Sequence, residues 1–462
     1  MGRFALSIKR HEAGGFFVFL LETRREVSVW LFYQDKCADT KMEKSLDRKL
    51  ARILKDRSCN DFILADAKDG DMAYGLSAPG LSPENYASEF KFKTLDEYRA
   101  QIREVVKQGL VDIVLMSAST SEVLTLKEGL FENTPITPAI RANDASDIWL
   151  AGQGAIYGSV PSRPFRTADL DHALCGHAGC SKSEIAAKKG ADLGLYSITF
   201  NNDLDRDYEA LEAYKEFRIE AERKGFRHFL EVFSPNAPVN PIEDVPKFVS
   251  DHIARTLAGV TTAARPIFLK IPYYGPKAME ALVRYDSSLV VGILGGSAGT
   301  TLDAFQMLYD AKKYGARVAL YGRKINNADH QLTFITYLRA IADGQAWPME
   351  AVKAYHADLQ KLKIKPKRSL EDDLRTTVQS LSYNNSSTVS MTGADKSESS
   401  DSKTNAALAS AQAKKFFVRN YFKDSEEKQD ATKKQFTKTP DFSKMTQQEK
   451  LQWNLERIRR SM

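Results

Sequence analysis

One lysine stands inside an otherwise apolar stretch at residues 266–275, which reads PIFLKIPYYG. A short apolar run closed by proline and glycine is typical of a buried strand in a parallel sheet, where an unpaired ammonium group is strongly disfavoured. Burial favours the neutral amine of a lysine, which is the form that attacks a carbonyl carbon and forms an imine. Lys270 is therefore a candidate for Schiff-base chemistry. The alternative is a lysine at a strand end that reaches solvent or pairs with a carboxylate.

Two carboxylates are expected to lie near this lysine. Asp66 follows the strand predicted at 62–65, and Glu231 lies within the strand predicted at 227–233. Imine chemistry requires a positioned acid and base that dehydrate the carbinolamine and move the proton of a sugar hydroxyl. For each carboxylate, the alternative is a structural salt bridge. Further polar groups near strand ends are second-rank candidates: Arg141, Tyr196, Tyr273 and Tyr274.

Two glycine-rich turns near the end of the predicted strand series indicate a phosphate site. The first contains Gly295, Gly296 and Ser297, and the second contains Gly322 and Arg323. Exposed backbone N–H groups and a helix N-terminus favour an anion, to which an arginine can add a bidentate contact. Either turn alone is as well explained by tight chain reversal. Their coincidence in the loops where barrels commonly bind phosphate favours the phosphate interpretation.

Four potential metal ligands fall within nine residues: His172, Cys175, His177 and Cys180. Structural zinc sites usually take their ligand pairs from two separated turns, and ligands this crowded rarely all reach one tetrahedral ion. We therefore expect an ordinary polar loop here and no bound metal.

The elements that would position these groups alternate regularly between strand and helix. A (β/α)8 barrel requires eight such units, with its active groups at the carboxyl ends of the strands. An open doubly wound sheet is disfavoured, because the first strand is not followed by a G-x-G-x-x-G turn. The eight strands are predicted at 62–65, 111–116, 137–144, 193–200, 227–233, 266–271, 289–294 and 317–321.

Composition narrows the class of protein. The chain has 462 residues, of which 43% are hydrophobic and 27% charged, so it can bury a large core. Its net charge of +6 is spread along the sequence without a dominant basic block, which does not indicate nucleic-acid binding. Four cysteines make no disulfide framework, and no apolar run is long enough to span a membrane. A reducing, cytoplasmic setting is expected.

Three regions are predicted. Residues 1–41 form an extension of uncertain structure, whose apolar run at 16–21 is followed by charged residues where a signal-peptide cleavage site would fall. Residues 42–362 form the barrel. Residues 363–462 are polar and predicted to be a mostly disordered tail, in which the segments 416–422 and 445–458 are candidate docking sites for a protein partner.

The motifs together resemble a known family, the barrel aldolases of class I that include archaeal-type fructose-bisphosphate aldolases and bacterial tagatose-bisphosphate aldolases. The resemblance rests on FLKIP at 268–272, on LGGS at 294–297 with the AFQ and YGA that follow it, and on LYGR at 320–323. The FLE at 229–231 resembles the strand that carries an acid/base glutamate in the tagatose branch.

This resemblance implies a lyase of carbohydrate metabolism, such as glycolysis, that cleaves or forms a carbon–carbon bond in a phosphorylated ketose without a cofactor. Lys270 would form the imine, Glu231 would move protons, Asp66 would assist, and the glycine loops with Arg323 would hold a substrate phosphate. Members of the family often assemble as homo-oligomers.

The chain departs from the family at one informative position. The archaeal-type members place an acid/base tyrosine on strand five, and the nearest residue here is Phe233. Either Glu231 has that role or the activity differs. Two alternatives therefore stay open: an inactive sugar-phosphate-binding barrel that acts as a scaffold or regulator, and a metal-dependent aldolase that uses the loop from His172 to Cys180.

Overall fold

The computed structural model describes residues 42–82, 92–150, 155–296 and 299–377, together with the backbone of residues 8–13, 16–22 and 27–33. These residues all belong to one compact unit, Met1–Gly393. Ser297 and the predicted docking segments of the tail lie outside the described residues. Among the residues that are described, no helix is both long enough and apolar enough to cross a membrane.

Eight parallel strands close into a barrel, which confirms the predicted (β/α)8 fold. Each strand pairs with the next one along the chain, and β8 closes the ring by pairing with β1 from Val318↔Ile63 to Tyr321↔Asp66. The strands are β1 Ile63–Lys68, β2 Ile113–Met116, β3 Thr137–Arg141, β4 Leu193–Thr199, β5 Arg227–Phe233, β6 Leu269–Ile271, β7 Val291–Leu294 and β8 Val318–Tyr321.

Helices cover the outside of the barrel, and their ends follow local signals in the sequence. Thr94 with Glu97, and Thr300 with Asp303, form capping boxes that satisfy the first N–H groups of two helices. The α-helices are α1 Ser45–Lys55, α2 Asp71–Tyr74, α3 Leu95–Gln108, α4 Ala118–Ser121, α5 Leu170–Cys175, α6 Lys182–Ala187, α7 Leu204–Lys224, α8 Val245–Ala258, α9 Pro276–Tyr285, α10 Thr301–Lys313, α11 Arg323–Asn326, α12 Gln331–Ala342, α13 Pro348–Lys361 and α14 Leu370–Asp373.

Side chains alternate along each strand between the barrel interior and the helix layer. One buried cluster fills the interior, and Leu46 and Ile53 of α1 join it, so that α1 closes the N-terminal end of the barrel. The interior members on the strands include Ile63, Ala65, Ala139, Leu195, Phe229, Val318 and Leu320. A second cluster packs the outward-facing residues, such as Leu64, Ile140, Leu230 and Leu269, against the helices. This alternation decides which polar side chains can reach the interior.

The N-terminal extension contains three strands that form their own antiparallel sheet, Ile8–Ala13, Phe16–Glu22 and Val27–Tyr33. We predicted no defined structure for this extension from its sequence. The apolar run at 16–21 lies in the middle strand, which pairs with both of its neighbours.

The packed part of the chain continues beyond residue 363, where composition alone placed the start of the tail. Asp373 accepts a hydrogen bond from the Thr301 N–H at 2.8 Å and contacts the His356 ring at 2.9 Å. The Thr377 N–H donates to the Asp303 carboxylate at 3.0 Å. Residues 363–377 therefore lie on the barrel at the start of α10, through contacts that composition does not reveal.

Replacing Asp373 with alanine should lower the free energy of unfolding by about 2–3 kcal/mol, because a buried N–H and a largely buried histidine lose a charged acceptor. The change is measured by thermal and urea denaturation. Glu371→Ala is the matched control: its side chain is 81% exposed, and its loss should cost less than about 0.5 kcal/mol. Equal stability of Asp373→Ala and the parent would contradict the packing of this segment.

Candidate functional site

Lys270 and Glu231 form an ion pair inside the barrel. They occupy aligned positions on β6 and β5, and the Lys270 Nζ lies 2.6 Å from the Glu231 Oε1. Their side chains are 6% and 0% exposed. The lysine therefore neither reaches bulk solvent nor stands unpaired. It lies within direct proton-transfer distance of a carboxylate.

The second carboxylate oxygen of Glu231 is held by two further groups. The Ser197 hydroxyl on β4 donates to the Oε2 at 2.7 Å, and the Arg141 Nη2 on β3 lies 3.6 Å from the same atom. Arg141 also donates through Nη1 to the Ser197 Oγ at 3.0 Å and through Nε to Asp69 at 2.6 Å. One Glu231 oxygen is thus fixed by the protein, while the other faces the amine.

The four charged groups balance one another. Lys270 and Arg141 supply two positive charges, and Glu231 and Asp69 supply two negative ones, all at less than 10% exposure. A buried charge is tolerated only where it is paired and hydrogen-bonded. This arrangement can hold an amine next to a base inside the barrel, and it can pass a proton between them.

Asp66 does not belong to this cluster, in contrast to the expectation that it faces the interior near Lys270. It shares its face of β1 with Leu64 and points towards the helices, where its Oδ2 lies 3.3 Å from the Lys68 Nζ. The same ammonium group donates to Gln331 at 2.9 Å and also bonds to Asn326. Burial raises the pKa of Asp66 and lowers that of Lys68. This pair belongs to the packing between barrel and helices.

Asp69, which follows the end of β1 on the interior-facing side, occupies the place expected of Asp66. Sequence reasoning missed it because the predicted strand ended at residue 65, whereas β1 continues to Lys68. Ser197 was also missed. It lies opposite Glu231 in the ladder between β4 and β5. This neighbourhood can be predicted only when the register of the two strands is known. The backbone of Ser197 is held by Asn143, whose side chain accepts from the Ser197 N–H at 2.6 Å.

A cavity of about 210 Å³ opens above the charged cluster at the carboxyl ends of the strands. It brings together Lys270 and the predicted phosphate-binding loops, which are far apart in the sequence. Its lining includes Asp69, Arg141, Lys270, Gly295, Gly296, Gly322, Arg323 and Tyr74. An elongated ligand could therefore contact the amine and both loops at once.

The glycines of the two loops do not all serve as donors. The Gly295 N–H donates to the Leu320 carbonyl at 2.7 Å, so it is not available to cradle a phosphate as expected. A Cβ atom at this position would lie 2.3 Å from the Tyr321 ring. Glycine is therefore required here by the packing against Tyr321. Gly296 adopts φ 58°, a left-handed conformation that favours glycine and turns the loop at the cavity edge.

The start of α10, which follows the first glycine loop, is not open to an anion. The Asp303 carboxylate accepts from the Thr300 N–H at 2.7 Å, and the Asp373 carboxylate accepts from the Thr301 N–H. Two carboxylates thus already hold its first N–H groups. Arg323 remains as the charged group of the predicted phosphate site, with its guanidinium 5.5 Å from the centre of the Tyr74 ring at the cavity wall.

The cysteine- and histidine-containing loop lies elsewhere: within the described part of the chain, none of its four predicted ligands lines this cavity. Cys175 and Cys180 form a disulfide, whereas composition led us to expect no disulfide framework. The pair is possible because the two cysteines flank one tight turn, with their Cα atoms 6.0 Å apart.

Comparisons with known proteins concern the barrel. No protein-family model and no curated protein matches the chain. An archaeal fructose 1,6-bisphosphate aldolase superimposes with a TM-score of 0.45 at 15% identity, over 64% of this chain and 99% of that one. A Schiff-base-forming fructose-1,6-bisphosphate aldolase superimposes with a TM-score of 0.45 at 16% identity, over 64% of this chain and 100% of that one. A fructose-bisphosphate aldolase from Slackia heliotrinireducens superimposes with a TM-score of 0.47 at 13% identity, over 67% of this chain and 89% of that one. At these identities the similarity concerns the fold alone.

Replacing Arg141 with methionine should destabilise the protein by about 3–5 kcal/mol, because Asp69 and Glu231 would lose a buried counter-charge. Urea denaturation measures the effect. Arg103→Met is the matched control, since it breaks a partly exposed pair with Glu128 and should cost at most about 1 kcal/mol. Adding Asp69→Asn to Arg141→Met should recover part of the loss. Equal losses for the two arginine variants would show that the interior charges do not depend on one another.

Proposed function

We propose that this protein is a class I aldolase, which cleaves or forms a carbon–carbon bond in a phosphorylated ketose through an imine on Lys270. One observation carries the proposal: the lysine is buried at the floor of a cavity, with a carboxylate oxygen 2.6 Å from its amine. Imine formation needs a lysine shielded from solvent and an adjacent group that accepts and returns protons. The motif resemblance around 268–272 and 320–323 points to the same chemistry.

Imine formation would begin when the Lys270 amine adds to the ketose carbonyl carbon. The resulting carbinolamine must lose its hydroxyl as water, which requires a proton at that oxygen. Glu231 is placed to take the proton from the amine and to return it to the leaving hydroxyl. Its other oxygen is held by Ser197 and Arg141, so the oxygen that moves the proton keeps a fixed direction.

Bond cleavage would follow from the electron demand of the protonated imine. When the C4 hydroxyl loses its proton, the C3–C4 bond breaks, the aldehyde leaves, and the electron pair moves to the imine nitrogen as an enamine. Protonation at C3 and attack by water then release the second product and the free lysine. Phe233, on the same face of β5, carries no titratable group. We therefore assign the proton transfers of this step to Glu231 as well.

Arg141 and Asp69 are positioning residues in this proposal. They fix Glu231 and complete the charge balance, and they line the cavity. Gly296, Gly322 and Arg323 are the described groups that would hold the substrate phosphate, with Ser297 in the same loop. A cytoplasmic setting and assembly as a homo-oligomer remain predictions.

Borohydride trapping tests the imine directly. Protein incubated with dihydroxyacetone phosphate and borohydride should gain a stable secondary amine on Lys270, found by peptide mass spectrometry. Lys68 is an internal control, since it is also a buried strand lysine but faces the helices. Lys270→Met should give no adduct, and Glu231→Gln should slow its formation on the order of a hundredfold or more.

Each outcome has a definite meaning. An adduct on Lys270 alone supports the proposal, whereas no adduct, or equal labelling of Lys68, contradicts it. Binding of the ketose phosphate without an adduct and without exchange of its C3 proton would favour the inactive sugar-phosphate-binding barrel. Loss of cleavage on addition of a chelator would favour the metal-dependent route.

Replacing Arg323 with alanine should impair phosphorylated substrates selectively. A charge-assisted contact of this kind is worth about 1.5–3 kcal/mol, so kcat/KM should fall on the order of ten- to a hundredfold. Unphosphorylated ketoses, which make no such contact, should be cleaved equally poorly by variant and parent. Steady-state kinetics with both substrate types measure the difference.

Arg368→Ala is the matched control for this experiment. It removes a nearby positive charge that lines the neighbouring cavity with Lys324, and not the cavity of Lys270. Its effect on kcat/KM should be less than about threefold, as expected for a screened surface charge. Equal losses for both substrate types in Arg323→Ala would require the phosphate role of Arg323 to be withdrawn.

A further inference from the structure

The loop between α5 and α6 folds so that four potential ligand side chains converge. Cys175 ends α5, and Gly176 and Gly179 then reverse the chain with φ values of 88° and 76°, which favour glycine. Cys180 follows directly, and Ser181 caps α6. From sequence spacing we expected that His172, Cys175, His177 and Cys180 would not all reach one ion. Two left-handed glycines within four residues instead bring Cys175, His177 and Cys180 together with Glu184.

The ligand atoms of this loop already lie close to one another. One atom each from Cys175, His177 and Glu184 lies within 4.8 Å of the other two, and the Cys180 sulfur is bonded to that of Cys175. The His177 Nδ1 lies 3.1 Å from the Ala178 carbonyl, to which it donates, so the Nε2 faces the cluster. The Nε2 lies 2.9 Å from the Glu184 Oε1.

Glu184 is oriented by its own helix. Its Oε2 accepts from the Ser181 N–H at 2.8 Å and from the Ser181 hydroxyl at 2.6 Å. The Oε1 therefore points to His177. The loop is also anchored, because the Gly179 N–H donates to Asp171 at 2.9 Å and Asp171 pairs with Lys224 of α7.

We propose that, with its disulfide reduced, this loop binds one Zn²⁺ through Cys175, His177, Cys180 and Glu184. Two thiolates, one imidazole and one carboxylate are zinc ligands, and they complete a tetrahedral set. Two thiolates on one zinc ion stand about 3.8 Å apart, given Zn–S bonds of about 2.3 Å. Cα atoms 6.0 Å apart allow this separation after side-chain rotation. The ion would replace the hydrogen bond between His177 and Glu184.

His172 is excluded from the set, although it lies in α5 only three residues before Cys175. Its Nδ1 lies 3.3 Å from the Asp169 carboxylate at the start of α5, and it is not a member of the converging group. His177 thus belongs to the converging group and His172 does not, while both side chains are about half exposed. This makes His172 a matched control for His177.

Zinc binding and the disulfide exclude each other, because they use the same two sulfur atoms. A peroxide would convert one state to the other: each thiolate loses one electron, the peroxide takes up two protons and leaves as two waters, and the ion is released. The site would thus link metal occupancy to the thiol–disulfide state, away from the Lys270 cavity.

The test uses the full chain with Cys37→Ser and Cys59→Ser, so that Cys175 and Cys180 are the remaining thiols. After reduction by a phosphine and removal of metal, Zn²⁺ is titrated against a chromophoric chelator, and Co²⁺ serves as a spectroscopic probe. We expect one ion per chain, tetrahedral Co²⁺ absorption and a thiolate-to-cobalt charge-transfer band. Peroxide should release the ion, and the disulfide form should not bind it.

Variants identify the ligands. His177→Ala and Cys180→Ser should each weaken Zn²⁺ binding at least on the order of a hundredfold, more than the loss of an outer-shell partner. His172→Ala should bind as the parent does, and circular dichroism shows whether each variant is folded. Equal loss in both histidine variants, octahedral Co²⁺ without a charge-transfer band, or binding that persists after oxidation would each overturn the proposal.

Discussion

The structure depends on one constraint: a lysine and an arginine inside the barrel require two carboxylates at bonding distance. Arg141, Glu231 and Lys270 come from three different strands and Asp69 follows a fourth, so their pairing requires a definite register around half of the barrel. Removing one partner from such a group leaves an uncompensated buried charge, which costs several kcal/mol. The same requirement keeps the amine next to a base.

A second buried lysine is also paired with a carboxylate, on the outer, helix-facing side of the barrel. Asp66 and Lys68 lie on the face of β1 that packs against helices, both fully buried. Their environment resembles that of Lys270 in burial and in the presence of a carboxylate. It differs in access, because only the interior lysine lines the cavity at the carboxyl ends of the strands. The two lysines are therefore distinguished by access to a ligand and not by burial alone.

Much of the fold and part of the site could be predicted from the sequence. The eight strands have strong apolar patterns, and Lys270 and Glu231 stand out because each interrupts such a pattern. The position of Asp66 was misjudged because the predicted strand ended at residue 65, three residues before the end of β1. We therefore expected Asp66 to be a strand-end group, although the alternation along β1 turns it towards the helices. The capping of α10 by Asp373 joins residues 72 positions apart, so no local pattern indicates it. The convergence in the loop from Cys175 to Glu184 depends on the left-handed turns at two glycines.

The central claim is that Lys270 adds covalently to a ketose carbonyl, and oxygen exchange tests it most directly. Each cycle of imine formation and hydrolysis replaces the carbonyl oxygen with one from water, even when no carbon–carbon bond is broken. In ¹⁸O-labelled water, the parent protein should incorporate label at C2 of dihydroxyacetone phosphate well above the uncatalysed rate. The double variant Asp66→Asn with Lys68→Met, which removes both charges of the helix-facing pair, should retain this activity. Lys270→Met should show only the uncatalysed rate. Exchange at the same rate with Lys270→Met as with the parent would contradict the account.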